Sequence, residues 1–167
     1  TKEERIYRVH QNEKALCLAP PVALTIAGSD NSAGAGLQAD LKTFTHYDVY
    51  GLTVVTCVVA EVPGKVVSMQ AIDVAVVRDQ LNLSLEYFPV AAIKTGMLLS
   101  EKIIDTVCAI LEGIPPVQRP FLVIDPVMVA TSGDSLLEAG AIARYQERLF
   151  PLADLVSPNL DEAEALL

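Results

Sequence analysis

The sequence predicts an α/β fold: a doubly wound, mostly parallel sheet with helices on both faces. Short β-branched apolar runs alternate with helix-spaced apolar segments along the 167 residues. One of those runs, residues 53–60, shows no inside/outside alternation, as expected of a strand covered on both faces. Acidic and glycine-bearing stretches directly follow the strands, where open sheets of this kind bind ligands.

In order along the chain, residues 1–20 read as a polar N-terminal extension and 21–167 as a single domain. The apolar stretch 15–26 is too short to cross a bilayer and is broken by Pro20 and Pro21, so neither a signal peptide nor a membrane span is expected. Residues 22–27 form a strand bounded by Pro21 and Gly28. A glycine-rich stretch then leads to a helix with Leu37, Leu41 and Phe44 on one face. Residues 53–60 belong inside the sheet. Pro63-Gly64 marks a turn before a short edge strand or flap in which Val67, Met69 and Ala71 alternate with their neighbours.

Asp73 is placed to cap a helix carrying Val74, Val77, Leu81, Leu85 and Phe88, which Pro89 ends. Residues 91–93 form a strand, Ser100 caps a helix reaching about Glu112, and Gly113 stops it. After a strand at 121–124, Ser135 and Glu138 have capping-box spacing ahead of a helix near 139–149. Leu155 and Val156 begin the fifth strand of the alternating series, and 161–167 open another helix. The chain stops inside that apolar helical pattern, which leads us to expect that the C-terminal part of the domain is missing.

Composition narrows function. With 21 acidic and 12 basic residues and a net charge of -9, no phosphate-backbone footprint is expected, and so no nucleic acid partner. A small phosphorylated ligand is still compatible, held by backbone N–H groups and a metal ion. Cys17, Cys57 and Cys108 show no metal or redox spacing, which fits a reduced, cytoplasmic setting.

The stretch from Gly28 to Gly36 lets backbone approach a ligand, with a helix N-terminus behind it. It lacks the GK[ST] ending of a Walker loop. Gly34 to Ala39 matches the permissive G-x-G-x-x-A pattern, but too far beyond the strand end for a dinucleotide fingerprint. Asp40, taken alone, reads as a solvated acid. Glu61 follows a buried strand, where it could accept hydrogen bonds from an amino-substituted heterocycle. Met97, after Lys94-Thr95-Gly96, suits the wall of a flat pocket. Asp125 ends a strand where a carboxylate can bind Mg²⁺, and Ser132-Gly133-Asp134 offers a turn near a phosphate. Asn159 and Glu162 lie one helical turn apart; they could hold a hydrated Mg²⁺ or simply start a helix.

Six ordered segments carry a resemblance: residues 23–30 (ALTIAGSD), 34–44 (GAGLQADLKTF), 94–98 (KTGML), 125–128 (DPVM), 132–134 (SGD) and 158–163 (PNLDEA). Together they resemble the hydroxymethylpyrimidine/phosphomethylpyrimidine kinases of thiamine biosynthesis, members of the ribokinase-like superfamily with its Rossmann-like three-layer fold. The resemblance implies ATP-dependent, Mg²⁺-requiring phosphorylation of 4-amino-5-hydroxymethyl-2-methylpyrimidine and then of its monophosphate, by an enzyme commonly dimeric. It implies that Gly28, Asp40, Glu61, Met97 and Val127 line the pyrimidine pocket. Asp125, Asn159 and Glu162 would face the nucleotide phosphates, with Asp125 and Glu162 at the metal.

Two departures stand out. Val62 and Pro63 replace a polar pair usual after position 61. The family's Gly-rich anion hole and catalytic base are expected downstream of Leu167, so no catalytic residue is assigned within the chain and this fragment is expected to be inactive by itself. A pyridoxal kinase of the same superfamily, a non-catalytic pyrimidine-binding module and a dehydrogenase are the alternatives.

Overall fold

The computed structural model describes residues 19–128 and 140–167. Six strands form one sheet: β1 (Val22–Asp30), β2 (Tyr50–Val62), β3 (Lys65–Ala71), β4 (Val90–Thr95), β5 (Phe121–Ile124) and β6 (Leu155–Val156). Their spatial order is β3-β2-β1-β4-β5-β6, and only the β2–β3 pairing is antiparallel. Helix α1 (Gly36–His46) links β1 to β2, α2 (Val74–Tyr87) links β3 to β4, and α3 (Glu101–Glu112) follows β4. Before β6 the chain forms α4 (Ala141–Arg144), a π turn (Tyr145–Leu149) and a 3-10 turn (Phe150–Leu152), and after it α5 (Leu160–Leu166).

The crossover from β1 to β2 runs in one direction along the sheet and all later parallel crossovers in the other. Right-handed connections therefore put α1 on one face and α2, α3 and residues 141–152 on the other. Period-2 alternation serves both layers. Leu24, Ile26, Val54, Ile93, Leu122 and Ile124 pack with Val77 and Leu81 of α2, Ile104 and Leu111 of α3, and Tyr145 in the main core. Thr25, between Leu24 and Ile26, points to α1. Over β5 and β6 that second face has no helix among the described residues, and Phe121 and Leu155 remain about half exposed.

The predicted caps form. Asp73 accepts from the N–H of Ala75 and Ser100 from that of Ile103. The strands at residues 22–27 and 53–60 are longer than their apolar runs: β1 continues through Ser29 and Asp30, and β2 through Glu61. β2 lies inside the sheet, but it is not covered on both faces throughout. Val58 is 50 % exposed, because β2 runs with β3 beyond the helical layers. The flap is a seven-residue antiparallel strand. Beyond the C-terminal end of β3, the free edge of β2 is closed by a side chain: Val55 N–H donates to Gln80 Oε1 at 3.0 Å and Gln80 Nε2 donates back to Val55 O at 3.4 Å. The predicted capping pair Ser135/Glu138 lies outside the described residues. So does the Ser132-Gly133-Asp134 turn.

Candidate active site at the sheet switch point

Strand order reverses at β1, whose neighbours β2 and β4 are reached by crossovers on opposite faces. Open sheets bind ligands at the carboxyl end of such a point. A cavity of about 460 Å³ lies there, bordered by the end of β1, the start of α1, the β2–β3 hairpin and the ends of β4 and β5. That volume is in the range of small-molecule sites.

Its first wall is the loop after β1, which Asp30 folds onto itself. Asp30 Oδ1 accepts from Ser32 N–H at 2.6 Å, and Oδ2 accepts from the Ser32 hydroxyl at 2.9 Å and from the N–H groups of Gly34 and Ala35 at 3.0 and 2.9 Å. Burial pushes the Asp30 carboxyl upward, but the hydrogen bonds from Ser32, Ala35 and Gly34 outweigh it and hold it below the usual aspartate value. Asp30 thus takes the amides of Gly34 and Ala35 just ahead of α1, whose own first turn has no side-chain cap. Gly36 is at φ +59°, and a Cβ there would strike the carbonyl oxygen of Gly28, so only glycine lets α1 start this close to β1.

Asp40 also departs from expectation. It is not a solvated acid: Thr25 Oγ1, wholly buried, donates to its Oδ2 at 2.6 Å, and Lys94 Nζ lies 3.2 Å from both of its oxygens. The same ammonium is 3.4 Å from Asp125 Oδ2. Register explains the cluster, since Thr25 of β1 pairs with Lys94 of β4, and α1 lies over that face.

Opposite stands Glu61. Its main-chain N–H donates to Asn31 Oδ1 at 2.7 Å. Burial, together with the negative charge of Asp30, raises its carboxyl above the ordinary glutamate value. Between these walls lies an apolar floor of Val59, Val66, Met97 and Val127, packed on the buried Cys57 and Leu99. Gly28 lies on that floor: a Cβ there would sit 2.8 Å from Cys57 Sγ and 2.9 Å from Met97 Cε. Leu99, at φ +69°, centres a tight turn in which Ser100 N–H donates to Leu98 O at 2.8 Å. A branched residue in the left-handed region is strained. The turn carries the chain directly from the floor into α3.

All five residues expected in the pyrimidine pocket, Gly28, Asp40, Glu61, Met97 and Val127, therefore border one cavity, and Asp125 borders it too. Asn159 and Glu162 do not. They form a reciprocal capping box at the start of α5, Asn159 Oδ1 accepting from Glu162 N–H and Glu162 Oε2 from Asn159 N–H, both at 2.9 Å. Glu162 is nonetheless buried. The phenol of Tyr145, raised chiefly by its burial, is raised further by the charges of Asp125 and Glu162. Sequence reasoning missed Thr25, Asn31 and the role of Lys94. Polar residues at matching positions of two apolar strands were the available signal, since buried polar atoms need partners.

Among the described residues no three His, Cys, Asp or Glu side chains converge as a metal cage. A mostly hydrated Mg²⁺ needs only one or two protein carboxylates, a lesser requirement than such a cage.

The sequence model described as phosphomethylpyrimidine kinase matches residues 30–167. The chain belongs to the phosphomethylpyrimidine kinase family. Over 148 residues, 89% of its length, it is 47% identical to a protein of Schizosaccharomyces pombe named putative hydroxymethylpyrimidine/phosphomethylpyrimidine kinase 2, covering 26% of that protein. The chain spans about half or less of the curated relatives it matches: 55% of the Synechococcus elongatus kinase and 29% of a bifunctional thiamine biosynthesis protein of Geobacter sulfurreducens. Among solved structures, the phosphomethylpyrimidine kinase of Clostridium difficile superposes with a TM-score of 0.79 at 38% identity, covering 87% of this chain and 62% of that one. The pyridoxal kinase of Staphylococcus aureus, solved with AMP-PCP and pyridoxal, gives 0.75 at 38% identity, covering 89% and 51%. Within this family the fold is thus a ribokinase-like kinase fold. Among the described residues, no helix is long and apolar enough to cross a membrane.

Proposed function

We propose that this chain supplies the substrate pocket of a kinase that uses ATP to phosphorylate the hydroxymethyl group of 4-amino-5-hydroxymethyl-2-methylpyrimidine and then the resulting monophosphate. The observation that carries this is the convergence of Gly28, Asp40, Glu61, Met97 and Val127 on one cavity at the switch point. The Met97 and Val127 side chains offer a flat aminopyrimidine an apolar surface to lie on. The Glu61 carboxylate accepts from its exocyclic amine, and Asp40, braced by Thr25 and Lys94, faces it from the other wall.

Asp125 and Glu162 hold the Mg²⁺ that accompanies ATP, with Asn159 keeping Glu162 in place through the capping box. When bound, that ion neutralises charge on the phosphoryl group in transit. No described residue is assigned as the base. The free, buried thiols of Cys57 and Cys108 support a cytoplasmic, reducing setting. The exposed Val67 and Met69 of β3 support a homodimer.

One observation favours a second reading. Val62 and Pro63 border the cavity where the family usually has a polar pair, and a pyridoxal kinase superposes nearly as well, so pyridoxal is the competing substrate. Calorimetric titration with the pyrimidine, with pyridoxal and NAD as controls and Glu61→Ala as the variant, decides between them. Pyrimidine binding lost in the variant supports the proposal. Preferential binding of pyridoxal replaces it, and no binding of either ligand by folded protein rejects the pocket assignment.

A further inference from the structure

Lys94 sits where the two ends of the cavity meet. Its ammonium is 3.2 Å from Asp40 and 3.4 Å from Asp125, and the two carboxylates are held very differently. Asp40 is braced from behind by Thr25 at 2.6 Å. Asp125 has a side chain 35% exposed, with Lys94 as its one side-chain partner among the described residues. Its other hydrogen bonds there come from its backbone, to Thr95 O and from Val127 N–H. Asp40 is therefore the rigid partner and Asp125 the releasable one.

The charge balance sharpens this. Asp30, Asp40, Glu61 and Asp125 border the cavity, and the cations doing so among the described residues are Lys65 on the hairpin and Lys94 at the floor. An ammonium offers three donors and no acceptor, so it follows whichever carboxylate is uncompensated. The stem of Lys94 passes Gly96, where a Cβ would lie 3.2 Å from Nζ. The missing side chain leaves the ammonium room to shift.

We propose that Lys94 is a positioning residue that couples the two ligand sites. In the free protein it is shared between Asp40 and Asp125. When a metal-bound nucleotide reaches Asp125, that carboxylate would be compensated by the incoming cation and Lys94 would withdraw fully onto Asp40, completing the bracing that Thr25 begins and setting the Asp40 carboxylate for the pyrimidine. Nucleotide then tightens pyrimidine binding, and by linkage the pyrimidine tightens nucleotide binding equally. The inference rests on the function proposed above.

The test is calorimetric and needs no turnover. Pyrimidine affinity is measured on the full-length polypeptide that carries this chain, without and with a saturating non-hydrolysable ATP analogue and Mg²⁺. The expected result is a tightening of about fivefold or more in the unaltered protein, falling below about twofold in Lys94→Met and retained in Lys94→Arg, which keeps the charge. Equal tightening in Lys94→Met, or none in unaltered protein that binds both ligands, overturns the coupling and leaves the kinase reading intact. Failure of the unaltered protein to bind the pyrimidine removes both. If Lys94→Met does not fold, Lys94→Gln takes its place, because it removes the charge and keeps a side-chain donor that can stay on Asp40. Its pyrimidine affinity is expected to be independent of nucleotide, and a dependence equal to that of the unaltered protein overturns the inference.

Discussion

The main-chain N–H of Glu61 donates to the side chain of Asn31 across 2.7 Å, tying the end of β2 to the loop after β1. Both segments border the cavity, so this single bond closes one side of it. Replacing Asn31 by Ala removes an exposed hydrogen bond worth about 0.5–1 kcal/mol and leaves the fold intact. The expected outcome is a small loss of melting temperature with several-fold faster pyrimidine dissociation, read by stopped-flow fluorescence or calorimetry. Unchanged dissociation would mean that the hairpin is held by its strand pairing alone.

Gly28→Ala places a methyl group 2.8 Å from the buried Cys57 sulfur and 2.9 Å from the end of Met97. The Met97 terminus can swing away; the Cys57 sulfur, fixed inside β2, cannot. Overpacking of this kind costs about 1–3 kcal/mol. Denaturant unfolding should show that loss, and adding Cys57→Ala should restore at least half of it.

Because its carboxyl is raised by burial and by Asp30, Glu61 binds its proton more tightly in the folded chain than in the unfolded one. The stability linked to this group is fully present below the ordinary glutamate pKa and is lost as pH rises through the folded value. Glu61→Gln should therefore be the more stable protein at pH 7, with the difference vanishing in acid. Pyrimidine affinity should have the opposite dependence, falling as pH drops through the same raised value, and Glu61→Gln should abolish it. Titrations from pH 4 to pH 8 read both.

Asp30 has the reverse sign. Its folded value is depressed, so its contribution is present above the ordinary aspartate pKa and is lost as pH falls through the folded value. Thermal unfolding of Asp30→Asn should show a deficit at neutral pH that closes in strong acid. A deficit constant with pH would show that loop geometry, not charge, is what Asp30 supplies.

At the other end, Asn159→Ala removes the cap of α5 and should cost about 1 kcal/mol. Released from the reciprocal bond, Glu162 loses its fixed position. A weakened dependence on Mg²⁺ concentration for nucleotide binding is the expected companion effect, measured by calorimetry.

Much of this was legible in residue order. Alternating apolar periods placed the strands and the main helices, although the helix expected near 139–149 divides into α4 and a π turn, and Asp73, Ser100 and the Asn159/Glu162 pair announced helix starts because capping chemistry is local. The lengths of β1 and β2 were not legible, because Ser29, Asp30 and Glu61 continue the strands with polar side chains that only the finished cavity accommodates. The Thr25–Asp40–Lys94–Asp125 cluster was hidden for a different reason. It depends on the register between β1 and β4 and on the placement of α1, which no local pattern encodes. Read alone, Asp40 looks like a surface acid; with Thr25 and Lys94 beside it, it is a fixed charge.

The Gln80 side chain that closes the edge of β2 has a consequence for how the sheet opens. By presenting a carbonyl and an amide to Val55, it imitates a neighbouring strand at a place where β3 has already ended. Solvent deuterium should therefore reach the Val55 amide only when α2 lifts from the sheet, not when the hairpin frays. Fraying at the rim of the cavity would then proceed without exposing the strand beneath it.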